Sequence, residues 1–197
     1  MTYFTKSEAR AAAARTRGLQ KSAGKTSDRI LRESVNAAVV TDAFDIFLSH
    51  SIADAEIVLG IKQLLEETGL KVYVDWGEDA QLDRRAVTKE TAAALRQRMK
   101  QSKSLIYLSS DNSSSSKWMP WELGFFDGFK PDGVAIMPVL DHPTDSFKGQ
   151  EYLGLYPIVQ KDTYKDGTPD VFVEERGARW STLKRFGTGQ PLWSKYG

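Results

Sequence analysis

The chain has 197 residues, enough for one good-sized core but not for two comfortable ones. Its 27 basic and 26 acidic residues leave a formal charge of +1, so the bulk balance predicts no polyanion partner and no nucleic-acid interface. It has no cysteine, and only His50 and His142 carry imidazole, which excludes a disulfide framework, a thiolate zinc site, a cysteine nucleophile and a multi-histidine metal site. No run reaches the ~20 apolar residues of a membrane span. The first residues carry charges without the apolar stretch of a secretory signal, so a cytoplasmic location is the expectation.

Charge is unevenly spread. Residues 1–41 hold eight basic residues against three acids, a local +5, and the remainder carries −4. This basic, Ala-rich stretch predicts a helical N-terminal extension. "SEARAAAARTR" favours helix by propensity, and "TSDRILRESVNAAVV" is a second helix opened by Ser27 or Asp28. Two readings stand: an extension packed on the body, or an arm for self-association or a partner. Its Arg- and Ser-rich look is also that of a transit peptide, against which Glu8, Asp28 and Glu33 argue.

From residue 42 short apolar runs alternate with helical patterns. "FDIFLS" (44–49) reads as a buried strand. "ADAEIVLGIKQLLEETG" (53–69) reads as a helix stopped by Gly69. "LKVYVDW" (70–76) is a second strand, and a polar loop follows over 76–87. "TKETAAALRQRMKQS" (88–102) is a helix capped by Thr88 or Thr91, and "SLIYLSS" (104–110) a third strand. A helix beginning near 116–119, "GVAIMPVL" (133–140) and "LYPIVQ" (155–160) complete the series. The tail from Thr163 carries turn residues and then "RGARWSTLKRF", read as one last helix. The expected organisation is an extension over 1–41, a domain over 42–162 and a C-terminal extension over 163–197 packing on it. Alternating strands and helices predict an α/β fold with a central parallel sheet of about five strands and helices on both faces. Ligands in such sheets bind outside the carboxyl ends of the strands. Here those ends are "SHS" (49–51), "DWGED" (75–79) and "SSDNSSSS" (109–116).

One helix stands out. "SSSSKWMPWELGFFDGF" (113–129) places an acid among five large aromatics. At about 100° per residue, with Trp118 at zero, Trp121 falls near 300°, Phe125 near 340°, Phe129 near 20°, Glu122 near 40° and Phe126 near 80°. Glu122 therefore lies inside the apolar arc, where a carboxylate must be paired, hydrogen-bonded or functional. Pro120 confines the helix start to the turn around it. No G-x-S-x-G elbow, Walker A loop or G-x-G-x-x-G is present. Ser49, His50 and Asp54 lie too close together on one strand end for a catalytic triad.

The ordered set "DIFLSHS", an aspartate closing the second strand, "SKSLIYLSS" and S-K-W-x-x-W-E-L-G resembles a TIR (Toll/interleukin-1 receptor) domain of the prokaryotic, NAD-cleaving kind, over about residues 42–160. The resemblance implies a flavodoxin-like TIR fold and cleavage of NAD⁺ at the nicotinamide–ribose bond. It gives the role of essential acid to Glu122. By the same resemblance Ser49, His50, Ser51, Asp75, Trp76, Ser109 and Trp118 contact the substrate. Neither cofactor nor metal is implied, because NAD⁺ is the substrate and nicotinamide leaves as a neutral group. Water as acceptor gives ADP-ribose, and an internal hydroxyl gives a cyclic isomer. Further implications are self-association through TIR–TIR contacts and a product that activates a downstream effector in anti-phage defence. Two other readings remain: a non-catalytic TIR interaction module, and a nucleoside-processing relative of the same sheet architecture. An open cleft at Glu122 favours the enzyme; a carboxylate closed over by Trp118 and Phe125 and paired with an arginine favours the module.

Overall fold

A computed structural model describes residues 1–19, 24–36, 42–76 and 88–196. In chain order the elements are β1 (Phe4–Thr5), α1 (Lys6–Leu19), α2 (Ser27–Asn36), β2 (Phe44–Ser49), α3 (Ala55–Glu67), β3 (Val72–Val74), α4 (Lys89–Lys100) and β4 (Ser102–Ser109). They continue with α5 (Trp118–Phe129), β5 (Val134–Leu140), β6 (Ile158–Thr163), β7 (Pro169–Glu175), β8 (Arg179–Thr182), α6 (Leu183–Gly187) and β9 (Ser194–Lys195). The expected loop at 76–87 lies, beyond Trp76, outside the described residues.

The continuous apolar runs of β2, β4 and β5 are buried on both faces, as parallel strands between helical layers must be. The sheet runs β3-β2-β4-β5-β6, all parallel, which is the doubly wound order of flavodoxin-like folds. One core holds Ile46, Leu48, Ile106 and Leu108 under α1, α2 and α3. The opposite core holds Phe47, Leu105 and Tyr107 under α4 and α5.

The sheet is larger than about five strands. Among the described residues it has nine, because β7, β8 and β9 extend it antiparallel beyond β6 and β1 pairs with β5. The tail read as turns and a helix is built from hairpins. Gly167 and Gly177 turn the chain at positive φ (85° and 67°), which L side chains rarely adopt. "RGARWSTLKRF" is thereby split: Arg179–Thr182 pairs with β7, and only Leu183–Gly187 is helical. The expected strand at 155–160 begins later, at Ile158, because Glu151–Leu155 winds into a 3₁₀ turn. Two caps also resolve. Thr88 accepts from the Thr91 amide at 3.1 Å. In α2 the cap is Thr26, whose hydroxyl accepts from the Arg29 amide, and not Ser27 or Asp28.

The first residues are built into the sheet. β5 and β6 pair only at Ile136 and Ile158, and β1 fills the space beyond. Phe4 and Thr5 pair with Val139 and Leu140, while Thr2 exchanges two 2.8 Å backbone bonds with Lys161. α1 then lies along α3, burying Ala9, Ala12, Ala13 and Thr16 at helical spacing. The helices meet so closely at Gly60 that a Cβ there would stand 1.8 Å from the Ala9 carbonyl oxygen.

A capping box starts α1. The Thr5 amide donates to Glu8 Oε2 at 2.8 Å, and the Glu8 amide to Thr5 Oγ1 at 3.2 Å. Burial pushes the Glu8 carboxyl up, but Lys161 and both Thr5 donors outweigh it and hold it below its ordinary 4.5. A carboxyl lowered on folding stabilises above the unfolded value and loses that contribution as pH falls through the folded one. Amide exchange over residues 6–9 should therefore speed up relative to the α3 core as pH drops below about 4.5. In Glu8→Gln that acid-dependent difference should vanish.

Candidate active site

Parallel strands pointing the same way bring their carboxyl ends to one edge. β2 and β4 are neighbours whose following helices, α3 and α5, leave to opposite faces, so the crevice between them is the topological switch point. Glu122 stands there. Pro120 occupies the third position of α5, where its missing N–H costs nothing. Glu122 is completely buried, between Met119, Leu123 and Phe126 on the inward face. It lies nearer the middle of that face than the aromatic arc suggests. Trp121, Phe125 and Phe129 rotate outward into a stacked ladder, with centroids 5.9 and 6.3 Å apart. The Arg96 guanidinium lies over the first two rings.

Ser49 ends β2, and its hydroxyl donates to Glu122 Oε2 at 2.5 Å. Both side chains are buried, so this charge-assisted bond replaces water at the carboxylate. Tyr107 lies opposite Ser49 on β4 and is also fully buried. Burial first, then Tyr152 and the negative charge of Glu122, push its phenol well above the ordinary range. Tyr107 and Tyr152 thus belong to the carboxylate's surroundings. The signal for Tyr107 was the period-two alternation of "SLIYLSS", which puts it on the face of Leu105 and Ser109. Trp118, one turn before Glu122, is nearly buried and meets Trp121 edge to face at 5.4 Å.

Not all the expected substrate contacts converge on Glu122. Ser49 and Trp118 flank it, and Ser109 ends β4 on the same face as Tyr107. His50 is buried and stacked on Trp76 at 5.2 Å, and Trp76 packs in the core under α1 and α3. His50 Nδ1 donates to the Leu48 carbonyl at 2.7 Å, and Trp76 Nε1 to Asp28 of α2 at 3.0 Å. Ser51 caps the 3₁₀ turn Ile52–Asp54 by accepting from the Ala53 amide. Asp75 is buried just beyond β3. Asp54 ties down the serine loop, accepting from Ser110 Oγ at 2.5 Å and Asn112 Nδ2 at 2.7 Å.

A buried carboxylate at this edge can stabilise positive charge developing on a sugar carbon, or orient its hydroxyls, and dry surroundings strengthen both effects. Among the described residues no group of three or more His, Asp or Glu side chains is arranged to hold a metal ion. Ser49→Ala leaves the buried carboxylate one donor short. The expected cost is about 1.5–3 kcal/mol of stability, read as a lowered denaturant midpoint, with Ser49→Thr recovering most of it.

The TIR domain family matches residues 46–167. A curated relative from Bacillus cereus (strain MSX-D12), "Probable 3' cyclic ADP-D-ribose synthase ThsB'", is 51% identical over 150 residues, covering 76% of this chain and 77% of the relative. A second, "Putative cyclic ADP-D-ribose synthase TIR2" from Cytobacillus dafuensis, is 30% identical over 99 residues, covering 50% of this chain and 26% of that protein. The match spans more than half of the sequence and includes most of β2 with all of β4 and α5, which together position Glu122, so the chain belongs to the TIR domain family.

Proposed function

We propose that this protein is a TIR enzyme that cleaves the nicotinamide–ribose bond of NAD⁺, with Glu122 as the essential acid. The observation that carries the reading is the position of the carboxylate, bonded to Ser49 at the switch point of the sheet. It is supported by likeness to relatives named as cyclic ADP-D-ribose synthases. When the bond breaks, nicotinamide takes the bonding electron pair and leaves neutral, and C1′ of the ribose becomes oxocarbenium-like. Glu122 offsets that charge. Attack by an internal hydroxyl gives a cyclic ADP-ribose isomer and attack by water gives ADP-ribose, each with loss of one proton. The name of the first relative favours the cyclic outcome, and we assign that product the role of a signal to a second protein in anti-phage defence. No described helix is long and apolar enough to cross a membrane, in keeping with catalysis on a dissolved nucleotide.

Glu122 exposes none of its surface, so the resting site is closed and ribose must displace part of its cover. We read this as the state before self-association through TIR–TIR contacts. Chromatography of NAD⁺ incubated with the protein over a range of concentrations tests the proposal. The expected products are nicotinamide and a cyclic ADP-ribose isomer, with specific activity rising with concentration, while free nucleosides remain intact. Absence of nicotinamide at every concentration would overturn the proposal. That result would favour the second reading, a non-catalytic TIR interaction module, for which the full burial of Glu122 speaks.

A further inference from the structure

A cleft of about 470 Å³ opens over the carboxyl ends of β4 and β5, within the size range of small-molecule sites. One wall is the serine loop after β4; the other is the segment Ser146–Gln150 after β5. Its lining is rich in hydroxyls and nearly free of negative charge. Asp111 is the one acid among the described lining residues, and Lys6 of α1 pairs with it at 2.5 Å and with Asp141, just outside the lining, at 3.1 Å. The hydroxyls of Ser110 and Ser113 are already donated, to Asp54 and to the Ser110 carbonyl. Those of Ser109, Ser114 and Ser146 remain to face the cleft. Lys148 is exposed at its rim and joins no ion pair recorded among the described residues.

The cleft adjoins the carboxylate. Tyr107 pairs with Ser49, the partner of Glu122, and Ser109 lies two residues farther along the same face, ~7 Å by strand rise. That span is comparable to a ribose with its 5′ linkage. Tyr152 is close enough to Tyr107 to raise its phenol and donates to Gln150, which lines the cleft. Through Ser109 on one side and Tyr152 and Gln150 on the other, the cleft adjoins the residues around Glu122.

One unengaged ammonium, several hydroxyl donors and little competing negative charge suit a diphosphate. We infer that Lys148 binds the diphosphate bridge of the substrate, with Ser109 and Ser114 donating to its oxygens. This deepens the Glu122 reading and rests on it for the position of the ribose. It makes the site selective for a dinucleotide, because a nucleoside leaves the Lys148 end empty.

Calorimetric binding of ADP-ribose to the full chain tests the inference independently of turnover. Lys148→Glu is expected to weaken binding at least 10-fold, Lys148→Ala less, and Lys148→Arg least. The weakening should shrink as salt is raised. In turnover, KM for NAD⁺ should rise by a similar factor, with kcat changing far less. Unchanged ADP-ribose affinity in Lys148→Glu, or no measurable binding to the wild type, overturns the inference. If Glu122→Gln abolishes nicotinamide release while Lys148→Glu alters neither affinity nor KM, the diphosphate site fails and the enzyme reading stands.

Discussion

Glu122→Gln should cut nicotinamide release from NAD⁺ by about 10²- to 10³-fold or more, the scale of losing a preorganised electrostatic partner of the transition state. The change is nearly isosteric, and the Ser49 hydroxyl can still donate to the amide oxygen. What is lost is the charge that offsets the developing cation. Because a desolvated charge is removed, the melting temperature should hold or rise, as expected where a functional group is kept at a cost to stability. Paired melting and product analysis on wild type and variant decide the matter. A folded Glu122→Gln protein with undiminished turnover would remove Glu122 from the mechanism. A variant that melts well below wild type would mark a structural role for the carboxylate.

The second large effect is on the fold. Gly60→Ala inserts a methyl group 1.8 Å from the Ala9 carbonyl oxygen, and the obstacle is backbone, which cannot turn aside as a side chain can. α1 must retreat from α3 along its whole contact. Overpacking ordinarily costs about 1–3 kcal/mol, and separating two buried helix faces should bring this substitution to the top of that range or beyond it. For a chain of this size, about 3 kcal/mol corresponds to roughly 6–12 °C in Tm. Ala14→Ser, on the exposed side of α1, is the control. Equal Tm values for Gly60→Ala and wild type would show that the observed helix contact is not maintained in solution.

The α/β class was legible because parallel strands buried on both faces leave near-continuous apolar runs that period-two patterns do not imitate. The antiparallel extension was not. In "RGARWSTLKRF" four residues of strand and four of helix share one short stretch, too brief for either period to register. The inward position of Glu122 followed from helical angle alone, yet the same wheel placed Phe129 inside, where the structure leaves it 44% exposed. A wheel records which residues are adjacent, not which arc faces the sheet. His50 and Trp76 carry a similar lesson. Once the Ser49 side chain points toward α5, extended backbone turns the next residue to the opposite face, and His50 goes there to stack on Trp76. The capping box at Thr5–Glu8 was visible as T-x-x-E, a signal the Ala-rich run that follows overshadows.

The way β1 fills the gap between β5 and β6 has a consequence for the order of assembly. Phe4 pairs with Val139 and Thr2 with Lys161, so residues 2–5 dock only when strands far later in the sequence are in place. Until then the carboxyl half of β5 is an unpaired edge beside the diphosphate cleft. Lys6, next to β1, neutralises Asp111 in that cleft, so closing the sheet and setting the charge of the site are a single late event. A folding intermediate with β1 undocked would keep its central strands yet present an open-edged cleft in which Asp111 lacks Lys6. Loading of the site would then report that residues 2–6 have found their place.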